Sequence, residues 1–192
     1  MTAAKYPSHR VVLNFALFQV GWFACVLGGA RGLPWFGALV AFAVVALHVL
    51  TSPRKTNEFV TIASVTLFGL VFDSFLLNSG WLQYSSPVPV TVLAPIWIIA
   101  LWSCFATTLN VAFQWLRTRW LIAGLLGGIG APLAYLAGAS LEAVVLLNPA
   151  PALLTIGLVW ALFMSIAMSF SPGSNRRSNL LVTEPQRDLY DA

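Results

Sequence analysis

Apolar residues fall into six long runs along the chain, separated by short breaks marked by glycine, proline or charge. Their limits are Val11 to Gly29, Pro34 to Leu50, Phe59 to Leu77, Val90 to Leu116, Trp120 to Gly138 and Ala152 to Phe170. A helix of roughly 17 to 25 residues crosses a hydrocarbon core of ~30 Å at 1.5 Å per residue, so every run is long enough to span a bilayer. The pattern predicts an all-α, polytopic membrane protein: one six-helix bundle over residues 11–170. It is flanked by polar tails at 1–10 and 171–192, the second read as flexible from its Ser, Asn and Arg content.

Composition agrees with the pattern. Hydrophobic residues make up 59% of the 192 positions and charged residues 8%, with a mean hydropathy of +0.84. Soluble domains carry roughly 25% charge and put a polar face on every turn of a surface helix, so a soluble helical core is excluded. The first run is longer than the roughly 7 to 15 apolar residues of a secretory signal and contains Asn14 and Gln19, so it counts as a membrane helix.

Charge then sets the expected orientation. In a six-helix zigzag Lys5, Arg10, Arg54, Lys55, Arg117, Arg119, Arg176, Arg177 and Arg187 share one side, and Arg31 alone lies on the other. The positive-inside rule places both termini in the cytoplasm. The net charge of +4 and pI near 9.5 suit basic loops facing anionic lipid and do not point to nucleic acid. The expected partner is the lipid bilayer.

Asp73, within "GLVFDSFLLNSG", is the residue that most needs an explanation. A carboxylate near the bilayer centre costs ~2.5 to 3.5 kcal/mol on insertion scales. Helical spacing puts Asp73 on a face with Thr66, Gly69 and Gly80, while Phe68, Val71 and Phe75 fall opposite. The small, polar face is expected to meet other helices and the bulky face lipid or large neighbours. On the fourth run Ser103, Thr107, Asn110 and Gln114 are spaced by four, three and four residues, which makes one polar stripe on a continuous helix. This stripe reads either as interhelical hydrogen bonding or as the lining of a polar cavity with Asp73 as its charged anchor. Asn14, Gln19 and Trp102 join the candidate ligand-binding set. Arg31 is the candidate partner for Asp73, provided its loop folds inward.

Other chemistry is sparse. The two histidines, His9 and His48, form no cluster for a metal, and no phosphate loop or catalytic triad is spaced for use, so neither metal nor cofactor is expected. Cys25 and Cys104 are expected ~12 Å apart in depth, too far for a disulfide. Trp35, Trp81, Trp115 and Trp120 sit at run ends, where indoles favour the membrane interface, whereas Trp22, Trp97, Trp102 and Trp160 lie within runs and want acceptors for their N–H groups. In "GLLGGIGAPLAYLAG", Gly124 and Gly128 have small-xxx-small spacing that predicts close helix packing, and Pro132 should loosen the helix and free a carbonyl. "SLEAVVLLNP" predicts a short interfacial helix capped by Ser140, with Glu142 in its first turn, and the prolines of "NSGWLQYSSPVPVTVLAP" predict an extended outer loop.

"FQVGWFACVLG", "FDSFL" and "APIWIIALWSCFATTLN" followed by "WL" together resemble the bacterial inner-membrane family catalogued as domain of unknown function 2878. The resemblance covers about residues 11 to 170 and implies that Asp73, Trp97, Trp102, Thr107 and Asn110 belong to the family's motif segments. It assigns no activity and no catalytic residue. Members sit in gene clusters with cyclopropane-fatty-acid-synthase-like and flavin oxidoreductase-like proteins, which implies soluble lipid-modifying enzymes as partners. The functional expectation is a module that binds or transports a small or lipid-like ligand. The alternatives are a membrane-embedded enzyme of lipid modification and a structural subunit of a membrane complex.

Overall fold

A computed structural model describes residues 6–86 and 92–169. It contains helices α1 (Ser8–Ala30), α2 (Pro34–Thr51), α3 (Lys55–Asn78), α4 (Ile96–Leu109), α5 (Trp120–Ser140) and α6 (Pro149–Ser169). Short strands β1 (Leu82–Tyr84) and β2 (Val144–Leu146) and a single 3-10 turn at Gln114–Leu116 complete it. All helices but α4 have the length and apolar character to cross a membrane. The last stretch of the expected sixth run, from residue 170, and the predicted C-terminal tail lie outside the described residues.

The packing has two parts. α1, α2 and α3 surround α4, which is buried along most of its length, and α5 and α6 form a hairpin packed on itself. The hairpin seam is the small-residue surface expected from sequence. A Cβ at Gly124 would lie 2.4 Å from Ser165 Oγ, and one at Gly127 would lie 2.6 Å from the Trp160 carbonyl oxygen. Pro132 cannot donate to the Gly128 carbonyl four residues back. That oxygen faces Gly157, where a Cβ would sit 3.0 Å away, so the freed carbonyl is taken up in the seam.

The turn from α1 to α2 follows from its residues. Gly32 adopts φ 71°, and the Leu33 and Gly32 amides donate to the Gly28 and Gly29 carbonyls at 2.7 and 3.4 Å, which closes α1 with a Schellman turn before Pro34 opens α2.

Two expected elements are corrected. The fourth run is one helix only from Ile96 to Leu109, about 21 Å long and short of a full span. Thr107 and Thr108 turn their hydroxyls onto the carbonyls of Cys104 and Phe105, at 2.7 and 2.6 Å, in competition with the helical ladder, and the chain then turns through 110–113. The polar stripe is therefore broken, because Asn110 and Gln114 lie beyond the helix.

The predicted interfacial helix at 140–148 is instead the end of α5 followed by β2. Ser140 is the last residue of α5 and donates to the Leu136 carbonyl, and Glu142 takes φ 64° while the Ala143 amide donates to the Gly138 carbonyl at 2.9 Å. The β-branched pair Val144 and Val145 then extends and pairs antiparallel with β1, with Tyr84 opposite Val144 and Leu82 opposite Leu146. The fold is thus a helical bundle capped at one end by a two-stranded ribbon.

The cysteines are free and buried, as expected, but closer in depth than the sequence suggested. A Cβ at Gly21, one turn before Cys25, would lie 2.7 Å from the Cys104 sulfur, because α4 starts at Ile96 and not at Val90.

Candidate functional site: a buried carboxylate behind an aromatic cavity

Asp73 is fully buried and held by three donors from three other elements. Its Oδ1 accepts from the hydroxyl of Tyr84 in β1 and, at 2.5 Å, from that of Tyr135 in α5. Oδ2 accepts from the indole N–H of Trp102 in α4, also at 2.5 Å. The carboxylate thus joins α3, α4, α5 and the ribbon at one point.

The face on which the sequence placed Asp73 does meet α4. Thr66 and Ser103 share a hydrogen bond at 2.9 Å, and Gly69 makes room for Trp102, since a Cβ there would lie 2.1 Å from the indole Cγ. Val71 and Phe75, on the opposite face, are exposed, while Phe68 stacks on Phe163 with ring centroids 4.8 Å apart.

Arg31 does not reach Asp73. It caps the C-terminal end of α1 with an exposed side chain, and the one ion pair among the described residues is His48–Glu58.

Trp102 and Tyr135 turn their other faces to a cavity of about 540 Å³, within the range of ligand sites. Its wall is aromatic: Phe15, Phe18 and Trp22 of α1, Trp97, Trp102 and Phe105 of α4, Tyr135 of α5 and Trp160 of α6. Trp102 stacks on Trp160 with centroids 4.5 Å apart, and Phe105 meets Trp160 edge to face at 5.0 Å. The lining runs from Phe15 to Val26 on α1 and from Leu126 to Gly138 on α5, about 16 to 18 Å along the helices. Between α1 and α5 the wall is incomplete. Phe15, Leu126 and Leu133 line the cavity yet are 44%, 48% and 59% exposed, and a Cβ at Gly130 would meet nothing within 4 Å. Val144 of the ribbon closes one end.

Few polar groups face this space. Trp97 spends its N–H on Ser86 Oγ at 2.8 Å and Trp102 spends its own on Asp73, while the buried Trp160 N–H has no acceptor among the described residues. Gln19 is the one amide on the wall among the described residues.

Of the candidate ligand-binding residues chosen from sequence, only Gln19 and Trp102 line the cavity, together with the other in-run tryptophans Trp22, Trp97 and Trp160, and Asp73 stands behind it. The expected polar lining is replaced by an aromatic one. Ser103 binds Thr66, and the Thr107 carbonyl accepts from Asn14 Nδ2 at 3.3 Å. Asn110 belongs to a separate network at the other end of α3, donating to the buried Glu58 at 2.9 Å and accepting from Arg117 at 2.6 Å, while His48 holds the same Glu58 oxygen at 3.1 Å. Gln114 is half-buried in the 3-10 turn. Sequence reasoning missed Tyr84, Tyr135 and Glu58. An in-run tyrosine needs an acceptor just as an in-run aspartate needs donors, and Tyr135 could have been matched to Asp73 on that ground.

These features define an integral membrane protein of the polytopic helical class, with an aromatic cavity beside a buried carboxylate. The chain belongs to the DUF2878 family, a protein family of unknown function whose profile matches residues 11–166. No curated protein and no solved structure matches the chain.

Proposed function

We propose that the protein binds an elongated, largely apolar ligand in the aromatic cavity and exchanges it sideways with the bilayer. One observation carries this reading: the cavity is long, aromatic and open between α1 and α5, where Phe15, Leu126 and Leu133 are exposed. A lipid-like molecule lying parallel to the helices matches such a space, and flat unsaturated or aromatic portions of it can stack on the indole and phenyl rings. Asp73 is then a positioning residue: it fixes the rings of Trp102 and Tyr135 that form the wall. Soluble lipid-modifying enzymes are the proposed partners, as donors or acceptors of the ligand. The test is native mass spectrometry of the protein released from native lipid discs. A single tightly retained mass above the background of bulk lipids is expected, and bulk lipids alone would overturn the reading.

A second reading rests on Tyr135, which both lines the cavity and donates its hydroxyl hydrogen to Asp73. This pair can relay a proton to or from a bound lipid, which makes it the candidate acid–base group of a membrane-embedded enzyme.

The proposed setting is the bacterial inner membrane, with six passes and both termini cytoplasmic. Arg54 and Arg117 support a common basic end, since they lie within electrostatic reach of each other, and Tyr6, one turn before Arg10, lies within reach of Arg117 too. The short α4 completes its pass with the turn through 110–116. A reporter that fluoresces only in the cytoplasm, fused after Ala192, is expected to be bright, and a dark fusion would reverse the topology.

A further inference from the structure

A second pocket, of about 230 Å³, lies between the N-terminal half of α1 and the C-terminal half of α2, away from the aromatic cavity. Its apolar floor is formed by Leu13, Leu17, Val44, Leu47 and Val111, of which Leu13 and Leu47 are 57% and 49% exposed so that the floor is open sideways, and its polar end by Tyr6, Arg10, His48, Thr51 and Ser52. We propose that this pocket takes the phosphate of an anionic amphiphile on Arg10, with the apolar remainder against the leucine floor.

The electrostatics favour an anion. Arg10 is exposed and makes no side-chain hydrogen bond or ion pair among the described residues. Glu58, the acid that His48 touches among the described residues, is already engaged by His48 and Asn110. With Nε2–H given to Glu58, Nδ1 of the neutral His48 ring is an acceptor, which a headgroup hydroxyl can meet. Asn14, deeper in the pocket, gives its amide hydrogen to Thr107 and keeps a buried Oδ1 with no partner among the described residues, which a hydroxyl of the bound group or a water can satisfy. The change from polar end to apolar floor along the helix axis is the polarity profile of a lipid at the headgroup boundary. A free phosphate shares the chemistry of the polar end and makes no use of the floor.

The experiment is native mass spectrometry of the full-length protein in detergent, titrated with dioleoylphosphatidylglycerol and, separately, with dioleoylphosphatidylcholine. Wild type is compared with Arg10→Gln, Leu47→Trp and Arg119→Gln; the last removes an exposed cation outside the pocket. Expected is one site preferring phosphatidylglycerol, weakened about fivefold or more by Arg10→Gln, the worth of one cation near an anionic lipid, weakened also by Leu47→Trp, and unchanged by Arg119→Gln. Competition by inorganic phosphate separates the sources. Displacement of the lipid, with phosphate binding kept by Leu47→Trp, assigns the site to free phosphate, and failure to displace assigns it to the lipid. Equal binding of both lipids by wild type, or equal losses in Arg10→Gln and Arg119→Gln, would overturn the proposal. Circular dichroism of each variant confirms the fold. The ligand of the aromatic cavity is untouched by any of these substitutions, so the two sites stand or fall separately.

Discussion

Asp73→Ala will lower the stability of the protein in detergent micelles by about 2 to 5 kcal/mol. The substitution strips the acceptor from Tyr84, Tyr135 and Trp102 at once, in a site with no solvent exposure. Three bonds, two between helices and one to the ribbon, each taken at the bilayer average of ~0.6 kcal/mol, set the lower end. Bonds to a charged group, at ~1.5 to 3 kcal/mol each, would exceed the upper end if nothing relaxed, but freed tyrosine hydroxyls can rotate toward each other. Asp73→Asn keeps an acceptor and should lose about half as much. Equilibrium unfolding in sodium dodecyl sulfate, followed by far-ultraviolet circular dichroism, supplies the numbers. A double-mutant cycle with Tyr135→Phe should show coupling of about 1 kcal/mol, since the two side chains are in contact. Strict additivity, or an alanine variant as stable as wild type, would mean that the carboxylate does not hold these elements together. A carboxylate that served only to anchor a ligand in an open cavity would leave stability almost untouched when replaced.

The sequence and the structure agree where physics is local. Outside α4 the helix limits follow the apolar runs to within a few residues, and α2 begins at Pro34 as expected. The inward turn of Asp73 and the α5–α6 seam at Gly124 and Gly128 follow from one helix face and one spacing rule. What was not legible depends on partners remote in sequence or on choices between near-equal local structures. The end of α4 carries no glycine or proline, and hydropathy runs straight through it. The helix stops because Thr107 and Thr108 bond backward and Asn110 is drawn to Glu58, 52 residues away. The stretch after Ser140 has enough apolar character for a helix, and becomes a strand only because "WLQY", some sixty residues earlier, offers it an edge. The inward turn of Asp73 is legible but its partners are not, because two of its three donors, Tyr84 and Tyr135, come from the loop after α3 and from α5. The aromatic cavity had no signature in any one segment. It is assembled from the sides of α1, α4, α5 and α6 that each look like ordinary membrane-helix packing.

Filling the cavity at Gly130 gives the sharpest test of ligand binding. Gly130→Phe places a ring where a Cβ meets nothing within 4 Å, on the wall at the gap between α1 and α5. The helix should accept it, because glycine in a helix interior is worse than other residues by roughly 0.5 to 1 kcal/mol, so stability should hold or rise. The mass retained by wild type should be lost, with affinity reduced tenfold or more, about 1.4 kcal/mol. Gly127→Phe, three residues away, is the contrasting variant. There a Cβ already falls 2.6 Å from the Trp160 carbonyl oxygen and 2.7 Å from Met164 Cγ, so a ring must force α5 and α6 apart. This variant should lose stability by about 1 to 3 kcal/mol. A Gly130→Phe protein that is stable and still retains the same mass would place the ligand elsewhere, and the aromatic cavity would then be a packing gap without an occupant. A Gly130→Phe protein that is stable and empty would identify the space between α1 and α5 as the route by which the ligand meets the aromatic wall, because the substitution alters that space without touching Asp73 or any residue that holds it.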